Sequence, residues 1–383
     1  MAKNIVICCD GTGNQYGDNN TNVVKLYRTL VLDDETRQVA YYHPGVGTQG
    51  AASAHNWLSE KLSVVAGLGF GAGLLAYVGD AYRYLMNTYE EGDQVFLFGF
   101  SRGAYTARAI SAMIYVFGLL HAGNDGLIPY ILKMFSRRTR NASGMREHLD
   151  VDSGFKQTYS RAIKVHMVGV WDTVSSVGMV WDPLKLPYTA VNPIMVHGRH
   201  AVSIDERRCF FRNNLWGAAL PGQTIKQVWF PGVHSDVGGS YAPGESGLSQ
   251  GSLQWMLCEA VSVGLLVDPV RAARELGRVP PVPMVDQPPI LPNVAPPQGM
   301  VHKSLTGAWW ILEVLPHKYY DAVKKKEGVK IPLGSPRSIP AGSVFHQSVK
   351  DKVAVDPTYR PVNLPAGWED CIEPENPCEF PPP

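Results

Sequence analysis

The chain has 383 residues, 45% of them hydrophobic and 18% charged, with a formal net charge of +1. Such a composition forms a buried core and excludes a disordered chain. A balance this close to neutral offers no bulk attraction for nucleic acid, so no nucleic-acid partner is expected.

The N-terminus runs directly into the apolar stretch Ile5 to Cys9. It is too short for a signal-peptide core, and no small-residue cleavage site follows. The stretch Leu62 to Val78 is apolar but is interrupted by Gly67, Gly69, Gly71 and Gly73. It is shorter than the ~20 residues of a membrane helix and reads as a glycine-rich loop feeding a helix. The expected location is the cytoplasm of the producing cell. The six cysteines include no C-x-x-C pair and no Cys/His set at zinc spacing, so neither metal nor cofactor is expected. Cys8 and Cys9, adjacent in a strand, point to opposite faces. Cys371 and Cys378 lie together near the C-terminus, which does not by itself make a bridge.

In chain order, the strand Ile5 to Cys9 ends in Asp10-Gly11-Thr12-Gly13-Asn14, a polar, glycine-rich strand end of the kind that lines functional edges in α/β sheets. An aspartyl phosphatase pattern would need its nucleophilic Asp where Cys8 stands, so that chemistry is set aside. A short helix begins near Thr21, capped by Thr21 or Asn20. Gln38 to His43 is a strand stopped by Pro44-Gly45. The spacing Gly67, Gly69, Ala72 follows no strand and so lacks the context of a dinucleotide site. Val95 to Phe98 is a buried strand that enters Gly99-Phe100-Ser101-Arg102-Gly103, and Ala104 to Leu120 is a helix. Strand, G-x-S-x-G and helix in succession are the context of a nucleophile elbow. Gly99 and Gly103 remove side chains where strand and helix crowd together.

Residues 121–161 read as a helical insertion, either a cap over the site or a solvated helix pair. Ala162 to Trp171 is a central strand ending in Asp172. Trp181 to His200 is irregular, and Val202 to Arg207 a short helix. Gln227 to Phe230 is a strand that runs into Pro231-Gly232-Val233-His234-Ser235-Asp236. Leu248 to Gly264 is an amphipathic helix. Residues 280–300 form a proline-rich surface excursion. Trp309 to Leu315 is a strand or a docking segment, Ser343 to Val349 a last short helix, and 356–383 a proline-rich tail over the surface. The alternation of strands and helices predicts one α/β-hydrolase-like domain over 1–383, with a mostly parallel, doubly wound sheet and insertions forming a partial cap.

A nucleophilic serine needs a base, and the base needs an acid to orient it. Ser101, Asp172 and His234 follow the ends of three strands, in the chain order of α/β hydrolases. His43, His166 and His346 compete for the base, and Asp182 and Asp236 for the acid. Asp236, two residues beyond His234, is expected to organise the turn. The backbone N–H of Arg102 is the first oxyanion donor. Gly11 or Thr12 is expected to supply the second, with Asp10 in support. The Arg102 guanidinium is assigned a salt bridge that pins the elbow, with a phosphate or carboxylate contact as the alternative.

Four segments, Cys9 to Asn14, Phe96 to Arg108, Val170 to Val174 and Gly232 to Gly239, together resemble the bacterial α/β-hydrolase family that includes the first class of type VI secretion phospholipase effectors. Pro44 to Thr48, Trp309 to Pro316, His346 to Val349 and Tyr359 to Pro365 fit the same family. The resemblance implies an ester hydrolase, with phospholipase A activity among its members, and carries the family triad onto Ser101, Asp172 and His234. Its toxins carry larger membrane-docking insertions, whereas this chain is compact, so a general carboxylesterase stays open. Two other readings are a membrane-targeting toxin delivered by a type VI system and a catalytically silent scaffold on the same fold. A toxin would bring a peripheral membrane contact and an immunity or secretion-system partner.

Overall fold

In the computed structural model, residues 2–11, 17, 19–45, 70–137, 154–174, 178–179, 182–183, 186–278, 299–307, 309–321, 326–375 and 378 are described. One eight-stranded sheet organises them. Its strands are β1 (Asn4–Cys9), β2 (Gln38–His43), β3 (Gln94–Phe100), β4 (Val165–Trp171), β5 (Met195–Ser203), β6 (Thr224–Phe230), β7 (Val344–His346) and β8 (Ile372–Glu373). They lie in the order β8-β7-β6-β5-β4-β3-β1-β2, and every neighbouring pair is parallel. From β1 the chain steps outward to β2, then returns to the far side of β1 as β3. That reversal is a topological switch point, where the strand ends open a crevice.

Both faces of the sheet are covered, which is why β1 and β3 are near-continuous apolar runs and not alternating ones. Ile5, Ile7, Cys9, Val95 and Leu97 face one layer, built from α2 (Phe70–Thr88), α3 (Arg102–Phe117) and α4 (Ile128–Arg137). Val6, Cys8, Phe96, Phe98 and Phe100 face the other, with α1 (Asn22–Thr29), α5 (His234–Gly238), α6 (Gly247–Val261) and α7 (Pro269–Glu275). Cys8 and Cys9 thus lie on opposite faces. Thr21 caps α1, its Oγ1 accepting from the Val24 N–H at 3.3 Å.

Several elements differ from the sequence reading. The end of the segment expected to be irregular and the start of the expected short helix form one nine-residue strand, β5 (Met195–Ser203), while 186–194 is irregular as expected and 204–207 is a bend and not a helix. Its buried polar residues hide the strand pattern: Arg199 pairs with Glu259 of α6, and His200 accepts the Thr173 N–H at 3.1 Å. Helix α6 is not amphipathic; it is buried on nearly all sides, with the sheet on one side and α1 and α5 against it. Trp309–Glu313 is a short helix, α8. The expected last helix divides into β7 and then α9 (Gln347–Val355). The proline-rich tail does more than lie on the surface. Trp368 enters a third apolar cluster with Phe345, Val349 and Trp229, and β8 adds a strand to the sheet edge. Cys378 lies beside Cys258, whose thiol is 3.8 Å from the Cys378 carbonyl.

The described part of 121–161 packs through Ile128, Ile131 and Phe135 into the layer of α2 and α3, and Phe135 meets Phe117 at the end of α3 remote from Ser101. The rest of that expected cap, and almost all of the 280–300 excursion, lie outside the described residues. Among the described residues, no helix is long and apolar enough to cross a membrane.

Candidate active site

Ser101 stands between β3 and α3 with φ 59° and ψ −120°. This sharp turn is a sparsely populated conformation for a residue with a side chain, costing about 1–3 kcal/mol. The two glycines make it sterically accessible. A Cβ on Gly99 would stand 2.4 Å from the Gly103 carbonyl oxygen, and one on Gly103 would stand 2.2 Å from that of Cys9. Strand β1 and helix α3 therefore touch backbone to backbone directly beside the serine.

Asp172 follows β4 with φ 39°, a left-handed conformation that Asp tolerates better than most residues. His234 opens α5, four residues after β6 ends. Asn22 holds this turn from the far side, its amide donating to the Val237 and Ser249 carbonyls at 3.0 and 2.9 Å. Gly238 is required by closeness to β3, since a Cβ there would fall 1.9 Å from the Phe100 ring.

These three strand ends bring the expected residues together. His234 Nε2 lies 2.8 Å from Ser101 Oγ, and His234 Nδ1 lies 2.5 Å from Asp172 Oδ2. All three side chains are buried. The rings of Phe100 and Phe211 pack against the imidazole at 4.6 and 4.7 Å between centroids. Burial pushes the His234 pKa below its ordinary value, and the Asp172 carboxylate opposes that only in part. Burial alone would push the Asp172 carboxyl up, but Arg337 and the His234 hydrogen bond outweigh it and hold the group well below the usual carboxylate range.

The rivals are engaged elsewhere. His43 Nδ1 lies 2.7 Å from the Pro44 carbonyl, and His166 Nε2 lies 2.8 Å from that of Val263. His346 caps α9, accepting the Ser348 N–H at 3.2 Å. Asp236 does organise the turn: Oδ2 accepts the Val233 N–H at 2.9 Å, and Oδ1 meets His302 Nδ1 at 2.6 Å. Asp182 falls in a two-residue strand, with its side chain outside the described part.

Of the two residues expected to supply the second oxyanion donor, Gly11 donates its N–H to Asp10 Oδ1 at 2.7 Å. Asp10 Oδ2 also accepts from Thr21 Oγ1 at 2.8 Å and from the Tyr42 hydroxyl at 2.9 Å, which ties the β1 loop to α1 and β2. Thr12 lies outside the described residues. Arg102 is the first residue of α3, at the positive end of the helix dipole. Burial pushes its guanidinium down to about 10.

Sequence reasoning missed a ring of supporting groups. Glu206, fully buried, accepts the His234 N–H at 3.2 Å and pairs with Arg208 at 2.8 Å. Burial would raise its carboxyl, but the hydrogen bonds and charge of Arg208 dominate and hold it down to about 2. The Arg208 guanidinium in turn covers the Phe211 ring at 3.7 Å. Arg337 grips Asp172 directly. Glu206 and Arg208 share the loop after β5 and Arg337 comes from far along the chain, and no local spacing signals any of them. Among the described residues, no group of three or more His, Cys, Asp or Glu side chains could hold a metal ion.

An all-parallel eight-stranded sheet with a serine elbow at its switch point places the chain among α/β-hydrolase-like proteins. Residues 3–259 match the family model for the catalytic domain of Tle1-like phospholipase effectors of the type VI secretion system. That is well over half of the chain, and the chain belongs to this family. The uncharacterized protein YEL023C of Saccharomyces cerevisiae is 34% identical over 220 residues, covering 55% of this chain and 32% of that protein. The match therefore takes in a minority of the relative's length. Two solved structures are also similar. An uncharacterized protein from Pseudomonas aeruginosa has 19% identity and a TM-score of 0.40, covering 71% of this chain and 47% of that one. The Tle1 effector bound to the VgrG spike of the type VI secretion system has 18% identity and a TM-score of 0.35, covering 64% and 52%. The family assignment rests on the match over 3–259.

Proposed function

We propose that the chain is a serine hydrolase that cleaves the acyl esters of phospholipids through an acyl-enzyme. The observation that carries this reading is the continuous Ser101–His234–Asp172 hydrogen-bond chain, at 2.8 and 2.5 Å. His234 Nε2 takes the Ser101 proton as Oγ bonds to the ester carbonyl carbon. The Arg102 N–H, at the head of α3, stabilises the resulting oxyanion. One such donor is worth about 3–4 kcal/mol in the transition state. The tetrahedral intermediate collapses, the ester C–O bond breaks, and His234 returns the proton to the leaving alcohol. Water then attacks the acyl-enzyme with His234 again as base, the Ser101 Oγ–acyl bond breaks as His234 returns that proton to Oγ, and the fatty acid leaves. Throughout, Asp172 holds the imidazole tautomer with its proton on Nδ1.

A second observation favours lipidic esters over small ones. Trp309 of α8 meets Phe211 at 5.4 Å, and Phe211 meets His234. On the same short helix Trp310 and Ile311 are 48% and 63% exposed, with Val314 and Leu315 exposed just beyond. An exposed apolar helix thus connects through Trp309 and Phe211 to the ring of His234, a surface of the kind an enzyme working at a bilayer needs. Replacing Trp310 and Ile311 together by aspartate is expected to lower fatty-acid release from phospholipid vesicles by roughly tenfold or more, since a large apolar side chain gains about 1.5–3 kcal/mol on full burial. Hydrolysis of a soluble p-nitrophenyl ester should change less than about twofold. Equal losses on both substrates would remove the bilayer role of this surface. A secretion-system partner and type VI delivery are part of the same proposal on family grounds alone.

The base must be uncharged to act, and burial lowers the His234 pKa. The sign follows directly: protonation switches the enzyme off only below the ordinary histidine value of about 6.5. The acid limb of kcat/KM on a soluble ester is therefore expected below pH 6.5, read from a profile between pH 4.5 and 8. A limb above 7 would contradict a buried, partly desolvated base.

The deciding experiment uses vesicles of phosphatidylglycerol and phosphatidylcholine with distinguishable chains at the two acyl positions. Release of fatty acid and lysophospholipid supports the proposal and gives the positional preference. Cleavage of soluble esters alone would favour the carboxylesterase reading. No hydrolysis of either would favour the scaffold.

A further inference from the structure

The Asp172 carboxylate carries more than a histidine. Arg337 Nη1 donates to Asp172 Oδ1 at 2.6 Å, and Nη2 donates to Oδ2 at 3.0 Å. Nη1 also reaches the hydroxyl and carbonyl oxygens of Ser203, at 2.7 and 3.1 Å, and Nη2 donates to the Phe211 carbonyl. The Ser203 N–H completes the set, donating to Oδ1 at 2.9 Å. The Arg337 side chain is 6% exposed, and that of Asp172 is not exposed at all. A two-pronged guanidinium grip fixes the plane of a carboxylate as well as its charge, which a point cation does not. Here Oδ2 is shared between His234 Nδ1 and Arg337 Nη2, so the grip sets how Oδ2 meets the imidazole.

Taking the triad reading as given, we propose that Arg337 is a positioning residue for the reaction: it fixes the Asp172 carboxylate against His234 and takes up part of its charge, and so sets the pH at which His234 begins to act as a base. The charges around the imidazole make its weight clear. Glu206 and Arg208 form an ion pair with each other beside the His234 backbone. His200, on β5, faces Asp172 and is neutral, its pKa pushed down to about 3 chiefly by burial. Ser101 brings a hydroxyl. Asp172 and Arg337 form the second ion pair. His234 thus lies between two pairs of zero net charge, and removing Arg337 leaves one uncompensated anion in contact with it. An added nearby anion favours the imidazolium.

The test measures pH profiles of kcat and KM on a soluble p-nitrophenyl ester for Arg337→Met and Arg337→Lys, with active sites counted by a fluorophosphonate so that unfolded chains do not enter the rates. Arg337→Met is expected to move the acid limb of kcat/KM up by about one pH unit and to lower kcat with KM little changed. Arg337→Lys should return the limb to the wild-type position while kcat stays low, because the charge is restored without the fork. A limb in Arg337→Met that coincides with wild type would overturn the proposal. Should Arg337→Met fail to fold, Arg337→Lys decides: a kcat equal to wild type overturns it, and a lowered kcat at unchanged KM upholds it. The control Ser101→Ala keeps the two layers apart. Full hydrolysis by that variant sinks the triad itself. An inactive Ser101→Ala alongside an unmoved limb sinks only the role of Arg337.

Discussion

Replacing Ser101 by alanine is expected to lower kcat/KM for an acyl ester by about 10⁴–10⁶-fold, the range found when a triad nucleophile is removed. The loss should be almost purely chemical. Ser101 Oγ meets His234 Nε2, and the backbone turn at φ 59° is set by Gly99, Gly103 and the contact of β1 with α3. Alanine enters that turn at much the same steric cost as serine, so the melting temperature should move by no more than a few degrees. Initial rates on purified protein, with a thermal melt beside them, check both halves. A variant retaining more than about 1% of the activity would mean that another group attacks, because an oxyanion hole and binding alone leave far less.

Asp172→Asn carries the second large effect, and it has two readouts. An amide at this position has one acceptor oxygen where the carboxylate has two, and the present partners are all donors: His234 Nδ1, both Arg337 nitrogens and the Ser203 N–H. One amide N–H₂ must therefore face a donor. If it faces His234, the imidazole proton moves to Nε2 and points at Ser101, the wrong tautomer for a base, and kcat falls by about 10⁴-fold. If it faces Arg337, a buried cation loses half of its grip. Breaking a buried ion pair from one side costs about 3–5 kcal/mol. The variant should therefore be both slow and less stable by about 3 kcal/mol or more, read from rates and from urea unfolding. The left-handed backbone does not contribute, since asparagine tolerates it as well as aspartate. A variant as stable as wild type would show that Arg337 does not depend on this carboxylate.

The strand ends of the candidate site are legible in the sequence because each follows a locally readable pattern. β1 and β3 are nearly unbroken apolar runs, β4 is apolar but for His166, and G-x-S-x-G marks the elbow without reference to anything distant. Asp172 directly beyond β4 and His234 four residues beyond β6 are legible because polar residues just past buried strands have few places to go. β5 was missed for the opposite reason. Its Arg199, His200 and Ser203 look like loop residues until Glu259, Thr173 and Arg337 come in from far along the chain to satisfy them. Arg337 itself lies among prolines and serines with no periodicity, 165 residues from the carboxylate it holds. A glycine after a strand can bind an oxyanion or satisfy its neighbour, and spacing alone does not separate the two; the Gly11 N–H donates to Asp10 at 2.7 Å. Helix α6 carries apolar residues at helical spacing, but spacing cannot report that its polar side is covered as well.

The central claim, that Ser101 is the nucleophile activated by His234, is tested most directly by reacting the whole chain with a fluorophosphonate and locating the adduct by peptide mass. One adduct per chain is expected, on the peptide that carries Ser101, with loss of ester hydrolysis in proportion to labelling and no labelling of Ser101→Ala. An adduct on another serine, or hydrolysis that continues after Ser101 is fully labelled, would contradict it.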